Sequence, residues 1–171
     1  MKLFDDFYFL VEELKTILDR EKLKLSTAES CTGGLLGAIL TSIPGSSTFF
    51  EGSLVTYSNY QKINILKVKE EILKEFGAVS EECAYEMAKN LKKLTNSDIA
   101  ISVTGIAGPE GGTPDKPVGT VFSTIIIKDM EKTFKFNFSG HRNLIRVMTV
   151  QAVLENLLEL LKKWKKDYLL R

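Results

Sequence analysis

The apolar positions of this chain fall into two rhythms. Phe7, Leu10, Val11, Leu14, Ile17 and Leu18 recur at helical spacing and predict an amphipathic helix over residues 4–21. Leu23, Leu25 and Thr27 alternate with their neighbours and predict a short strand over 23–28. Residues 32–42 are small and apolar, a helix entered through Gly33-Gly34 and stopped at Pro44-Gly45. A second strand is predicted over 49–57, then two short helices over 59–66 and 70–76. Ser80 followed by Glu81 and Glu82 has the form of an N-cap with an acidic first turn, opening a helix that runs to about Leu94. Residues 99–103 predict a buried strand, 105–117 a loop, and 119–127 with 133–138 a hairpin around Lys128-Asp129. A long helix over 143–166, basic at its end, closes the chain.

Strands and helices alternate at first, and two adjacent strands follow. That order predicts an α/β fold, a three-layer α/β/α sandwich around a mixed, mostly parallel β-sheet. With no internal repeat, low-complexity segment or linker, residues 1–171 read as one domain.

Composition narrows the function classes. At 44% hydrophobic and 26% charged, the chain has a globular balance and enough length to bury a core without disulfide or metal staples. A net charge of +1 gives no electrostatic reason to expect nucleic acid or a membrane as partner, so an anionic ligand must be held by a local site. Cys31 and Cys83 show no C-x-x-C spacing, and His141 is the single histidine, which excludes a multi-histidine metal centre. No metal and no cofactor are expected. No apolar run approaches the ~20 residues that span a bilayer. Asp5 and Asp6 stand where a signal peptide would be basic and then apolar, so the cytoplasm is the expected location.

Three segments at predicted strand ends are richer in small and polar residues than packing requires. In Ala28-Glu29-Ser30-Cys31-Thr32-Gly33-Gly34, Ser30 sits at a strand-to-helix turn whose unpaired N–H groups would hold an oxyanion. On spacing alone the same serine reads as an ordinary N-cap in a tight turn. Cys31 is the other candidate nucleophile, with no histidine nearby in sequence to activate it. In Tyr57-Ser58-Asn59-Tyr60-Gln61-Lys62, the lysine would serve as a general base if desolvation lowered its pKa; its plain alternative is a solvated surface lysine. The glycine-dense stretch Thr104-Gly105-Ile106-Ala107-Gly108-Pro109-Glu110-Gly111-Gly112 fits backbone amides arranged around a ligand, or a long surface loop. It lacks the spacings of a dinucleotide fingerprint or a Walker loop. Ahead of the last helix, Arg142 and Arg146 are candidate phosphate ligands, or exposed arginines one turn apart, and His141 is a capping or surface residue.

Together, AESCTGG at 28–34, PGSS at 44–47, YSN at 57–59 with Lys62 beyond it, GAVS at 77–80, GIAGPEGG at 105–112, KPVGTV at 116–121 and SG-x-R at 139–142 resemble one family. It is the C-terminal domain of the competence/damage-inducible protein CinA, with its stand-alone relatives, the nicotinamide-nucleotide amidohydrolases. The resemblance covers residues 10–162. It implies deamidation of nicotinamide mononucleotide to nicotinic acid mononucleotide and ammonia, by a serine-lysine mechanism without metal, in a homodimer. It places the nucleophile on Ser30, the base on Lys62 and an assisting hydroxyl on Tyr57. Substrate would be held by Cys31, Thr32, Gly33, Gly34, Thr104, Gly105, Ala107, Gly108 and Arg142. The chain departs from its relatives at His141, where they have an acidic residue, and at Tyr60-Gln61, where they have Glu-Ala. It has no room for the N-terminal domain of larger relatives, so a stand-alone enzyme is expected. The alternatives are a catalytically silent nucleotide-binding domain of the same fold and an interaction protein whose glycine loops form an interface.

Overall fold

The computed structural model describes residues 2–169. One five-stranded sheet holds β1 (Leu25–Glu29), β2 (Phe50–Val55), β3 (Ile99–Gly105), β4 (Thr120–Ile127) and β5 (Met130–Asn137) in the order β2-β1-β3-β4-β5. β1 pairs in parallel with β2 and β3, and β4 is antiparallel to both its neighbours, so four of the five strands point one way. The expected mixed sheet, covered by helices on both faces, is what forms.

Alternation along the strands decides what each face packs against. Leu25, Ile101, Val103 and Ile125 enter one apolar cluster with α1 (Lys2–Glu21), α2 (Leu35–Leu40) and α6 (Arg142–Leu169), through Leu14, Leu18, Ile39, Leu40, Val153 and Leu157. The opposite face carries small or hydroxylated residues. Ala28 and Ala100 pack on Met87 and Leu91 of α5 (Glu81–Thr95), together with Leu66 and Val68 after α3 (Asn59–Asn64). Ile72 of α4 (Glu70–Glu75) packs at the edge of this smaller cluster. Hydroxyls on that face find partners: Ser102 Oγ donates to Ala84 O, and Ser26 Oγ lies 2.7 Å from Ser97 Oγ. Small side chains thus let α5 lie close over the sheet with these hydroxyls paired.

Several element ends differ from the pattern-based expectation. α2 begins at Leu35 rather than at residue 32, because Gly33 and Gly34 take left-handed φ values of 60° and 92°. β2 stops at Val55, leaving Thr56 and Tyr57 outside the ladder. β5 starts three residues earlier than predicted, at Met130; Glu131 and Lys132 are exposed on this edge strand and carry no hydrophobic alternation. The turn Lys128-Asp129 is as predicted, with Lys128 at positive φ, and Ser80 caps α5 by accepting from Cys83 N–H at 3.1 Å. A short 3-10 turn, Ser46–Thr48, has no counterpart in the predicted elements. No helix among the described residues is long and apolar enough to cross a membrane.

The connections position the site. After β1 the chain turns into α2 on one face, and after the adjacent β2 it turns through α3 towards α5 on the other. A crevice opens where neighbouring parallel strands send their chains to opposite faces. Ser30 follows β1 and Lys62 follows β2, which places them on the two sides of that crevice.

The third wall, the 106–119 segment, hangs on Gly119. Its N–H donates to Ile106 O at 2.7 Å and its carbonyl accepts from Phe138 N–H at 2.9 Å. At φ 93° a Cβ on Gly119 would stand 1.8 Å from Phe138 O. Gly119→Ala is expected to lower stability by roughly 3 kcal/mol or more, through backbone strain and displacement of β5. A urea-unfolding midpoint equal to that of the unsubstituted chain would show that the two segments separate freely.

Candidate active site

Lys62 is 1% exposed, the one lysine among the large fully buried side chains. It lies in α3, whose N-cap Ser58 accepts from Gln61 N–H, so the helix directs the side chain back under the end of β2. Its Nζ lies 3.0 Å from Ser30 Oγ, 2.9 Å from Thr56 O and 3.2 Å from Tyr57 O. Among the described residues no carboxylate stands within ion-pairing distance of it. Burial pulls the ammonium below the ordinary lysine value of 10.5, with Cys83 and Cys31 acting in the opposite sense. A neutral amine keeps two N–H bonds and one lone pair. With the carbonyls of Thr56 and Tyr57 taking the N–H bonds, the lone pair faces the Ser30 hydroxyl.

The serine is held just as firmly. Ser30 N–H continues the β1 ladder onto Val103 O at 2.9 Å, and its side chain is buried. Behind it stands a residue to which the sequence assigned no role. The Glu29 carboxylate, fully buried, accepts from Thr32 Oγ1 at 2.7 Å, from Gly34 N–H and Leu36 N–H at 3.0 Å, from Gly37 N–H at 2.8 Å and from Ser53 Oγ at 3.0 Å. Its signal in the sequence is a lone carboxylate ending a buried strand, just before a Gly-Gly turn.

That carboxylate changes which amides are available. Gly33 N–H donates to Ser30 O, Gly34 N–H to Glu29 and Leu35 N–H to Thr32 O, so the glycine amides expected to face a ligand serve the turn itself. Thr32, Gly33 and Gly34 do not line the cleft. Burial pushes the Cys31 thiol up to about 12 and that of Cys83 up to about 11, so neither is a thiolate at neutral pH. Of the two nucleophile candidates, Ser30 is the one beside a base.

Around the pair is a cleft of about 260 Å³. Of the expected substrate-binding residues, Cys31, Thr104, Gly105, Ala107, Gly108 and Arg142 line it. Thr104 has its hydroxyl engaged by Ala78 O at 2.7 Å, and Gly105 has Thr120 O 2.9 Å from where a Cβ would be. Asn59 and Glu110 also line the cleft and are exposed; both stand inside quoted motifs, but nothing in their spacing marked them.

Tyr57 meets the pair through its main chain. Its carbonyl, not its hydroxyl, meets Lys62 and Ser30. The side chain is 55% exposed, and its hydroxyl accepts from Arg142 Nη2 at 2.7 Å, while Arg142 Nη1 donates to Gly108 O at 2.8 Å. Arg142 therefore bridges the mouth of the cleft. Arg146 is elsewhere: its Nε and Nη2 both donate to Thr32 O, at 3.2 and 2.8 Å, behind the nucleophile turn. His141 caps α6, its Nδ1 accepting from Leu144 N–H at 3.4 Å. No group of three or more His, Cys, Asp or Glu side chains among the described residues stands close enough to hold a metal ion.

The family model for the CinA C-terminal domain matches residues 8–161. A CinA-like protein of Thermotoga maritima is 51% identical over 149 residues, covering 87% of this chain and 36% of that protein. A putative competence-damage inducible protein of Clostridium perfringens is 48% identical, covering 90% of this chain and 37% of its own length. The chain thus spans little more than a third of these relatives. Among solved structures, competence damage-inducible protein A from Klebsiella pneumoniae superposes with a TM-score of 0.88 at 37% identity, covering 91% of this chain and 96% of that one. A competence/damage inducible protein from Agrobacterium tumefaciens does so with 0.88 at 39%, covering 91% and 95%. With the matched region holding the whole sheet and both sides of the cleft, the chain belongs to the CinA C-terminal domain family.

Proposed function

We propose that this chain is an amidohydrolase that deamidates nicotinamide mononucleotide, with Ser30 as nucleophile and Lys62 as general base. The observation that carries the reading is the buried Lys62 amine, 3.0 Å from Ser30 Oγ and paired with carbonyls rather than a carboxylate. A lysine kept for packing or for an ion pair has no need of that arrangement.

The chemistry follows from the geometry. Lys62 takes the Ser30 proton as Oγ attacks the carboxamide carbon, and the backbone N–H of Cys31, at the cleft wall, donates to the oxyanion. The C–N bond then breaks, Lys62 returns the proton to the departing nitrogen, and ammonia leaves. Water, deprotonated by Lys62, attacks the acyl ester and regenerates Ser30 with release of the carboxylic acid. Exposed at the mouth, Arg142 meets the 5′-phosphate, exchanging its bonds to Tyr57 and Gly108 for charge-assisted ones. Tyr57 acts through its carbonyl, which orients Lys62, and through its ring at the cleft entrance.

Purified protein is expected to release ammonia from nicotinamide mononucleotide, and Ser30→Ala and Lys62→Met to lose roughly 10³-fold or more in kcat. Equal release by Ser30→Ala would remove the nucleophile assignment. No release by the unsubstituted protein, with a ligand-induced rise in melting temperature, would make it a binding domain instead.

The pH dependence has a definite sign. Only the neutral amine accepts a proton, and burial lowers the pKa of Lys62. kcat/KM should therefore rise with pH through an apparent pKa below 10.5 and level off above it. A profile flat down to acidic pH would separate Lys62 from the chemistry. For Arg142→Ala, KM should rise roughly 10- to 100-fold with kcat little changed, the loss expected for hydrogen bonds to a charged group. An unaltered KM would take Arg142 out of phosphate binding.

A further inference from the structure

A fully buried carboxyl group with no ion pair among the described residues is an unusual thing to keep at the end of an interior strand of a sheet. Glu29 also makes more hydrogen bonds than one cap requires. Its Oε2 gathers Thr32 Oγ1, Gly34 N–H and Leu36 N–H, and its Oε1 gathers Gly37 N–H and Ser53 Oγ. These donors come from the turn that begins at Ser30, from the start of α2 and from β2. The turn cannot rotate as a unit without breaking several hydrogen bonds to a fully buried side chain.

The main chain of Glu29 acts on the other half of the pair. Glu29 O accepts from Thr56 N–H at 2.9 Å, and Thr56 O in turn accepts from Lys62 Nζ at 2.9 Å. One residue therefore fixes the turn carrying Ser30 through its side chain and the carbonyl orienting Lys62 through its backbone. Thr32 is where a second restraint enters: its hydroxyl donates to Glu29, and its carbonyl accepts from Arg146 of α6 at 2.8 Å. Glu29 and Arg146 thus hold the turn through opposite ends of Thr32.

We infer that Glu29 is a positioning residue, whose carboxylate sets the Ser30 turn so that Oγ stands at the Lys62 amine, with Thr32 and Arg146 completing the restraint. The inference rests on Ser30 and Lys62 being the reacting pair. It does not depend on which amide they act upon. Glu29 touches neither the cleft nor a substrate, so its removal should slow the serine without loosening ligand binding. In Glu29→Gln one carboxylate oxygen becomes an NH2 group that faces N–H donors, whichever way the amide turns. Thr32→Val removes a single bond to Glu29 and keeps the side-chain volume nearly unchanged.

The test is the rate at which phenylmethanesulfonyl fluoride modifies Ser30, read by mass spectrometry across pH, beside kcat and KM for nicotinamide mononucleotide. In the labelling step the Ser30 O–S bond forms, S–F breaks, fluoride leaves and Lys62 takes the proton. Glu29→Gln is expected to label and turn over roughly 10- to 100-fold more slowly, as misplaced reacting groups do, with KM within about twofold. The pH midpoint of labelling should stay where the unsubstituted protein has it. Thr32→Val should show the same pattern more weakly, and it decides the matter if Glu29→Gln fails to fold. A folded Glu29→Gln that is less heat-stable but labels at full rate makes the residue structural only and overturns the inference. A shifted midpoint makes Glu29 an electrostatic partner of Lys62 and overturns it as well. If the unsubstituted protein labels at Ser30 but releases no ammonia, the proposed substrate falls while the positioning role stands on the labelling rates. If Ser30 does not label at all, the reacting pair and the inference fall together.

Discussion

Withdrawing an amine from water without giving it a carboxylate is the constraint around which the carboxyl end of this sheet is arranged. The protonated form of Lys62 suffers most from that withdrawal, because a lone charge in a low-dielectric interior is far more costly than a neutral polar group. The neutral form needs only acceptors, and the carbonyls of Thr56 and Tyr57 supply them. Those carbonyls are available because β2 leaves the ladder at Val55. Thr56 N–H still donates to Glu29 O, so the end of the edge strand is pinned while the Thr56 and Tyr57 carbonyls meet Lys62. The thiols of Cys31 and Cys83 complete the surroundings, with burial holding both in the neutral form.

The topology explains why these atoms meet there. β1 is flanked by two parallel neighbours, and its own connection and that of β2 pass to opposite faces. Ser30 and Lys62, 32 residues apart, are thereby the first and second turns at one crevice. The antiparallel pair β4 and β5 extends the sheet away from that crevice. It contributes by anchoring the glycine-rich wall, with Gly119 bonded to both Ile106 and Phe138. α6 reaches the site from its N-terminus only, where Arg142 lies across the cleft mouth and Arg146 lies behind the nucleophile turn.

Much of this was legible along the chain. Helical spacing located α1 and α5, the Ser80 cap was readable from its acidic followers, and the turn Lys128-Asp129 stands where the pattern put it. Ser30 and Lys62 were legible as a pair only through the family resemblance, and their contact is a finding of the structure. Other parts were legible as residues but not as roles. Tyr57 was read for its hydroxyl, the only part of it that chemistry can recognise from a side-chain name; its contribution to Lys62 comes from a carbonyl that every residue has. Arg142 and Arg146 look alike in sequence, four positions apart on one helix, yet one faces the cleft and the other the backbone of Thr32. Gly33 and Gly34 invited a ligand-facing reading, while their amides are engaged within the turn. Glu29 was passed over because a carboxylate at the end of a strand normally points to water.

By itself the sequence determined which faces are apolar, how many strands alternate with the helices, and which unusual residues cluster at strand ends. These depend on neighbours within a turn or a strand, and periodicity records them directly. Only the tertiary structure decided which polar atoms are already satisfied and which remain for a ligand. The bonds that settle this join residues far apart, as Arg142 joins Tyr57 across 85 positions and Arg146 joins Thr32 across 114. Hydrogen bonding acts over about 3 Å between particular atoms, so its allocation exists only once packing has brought those segments together.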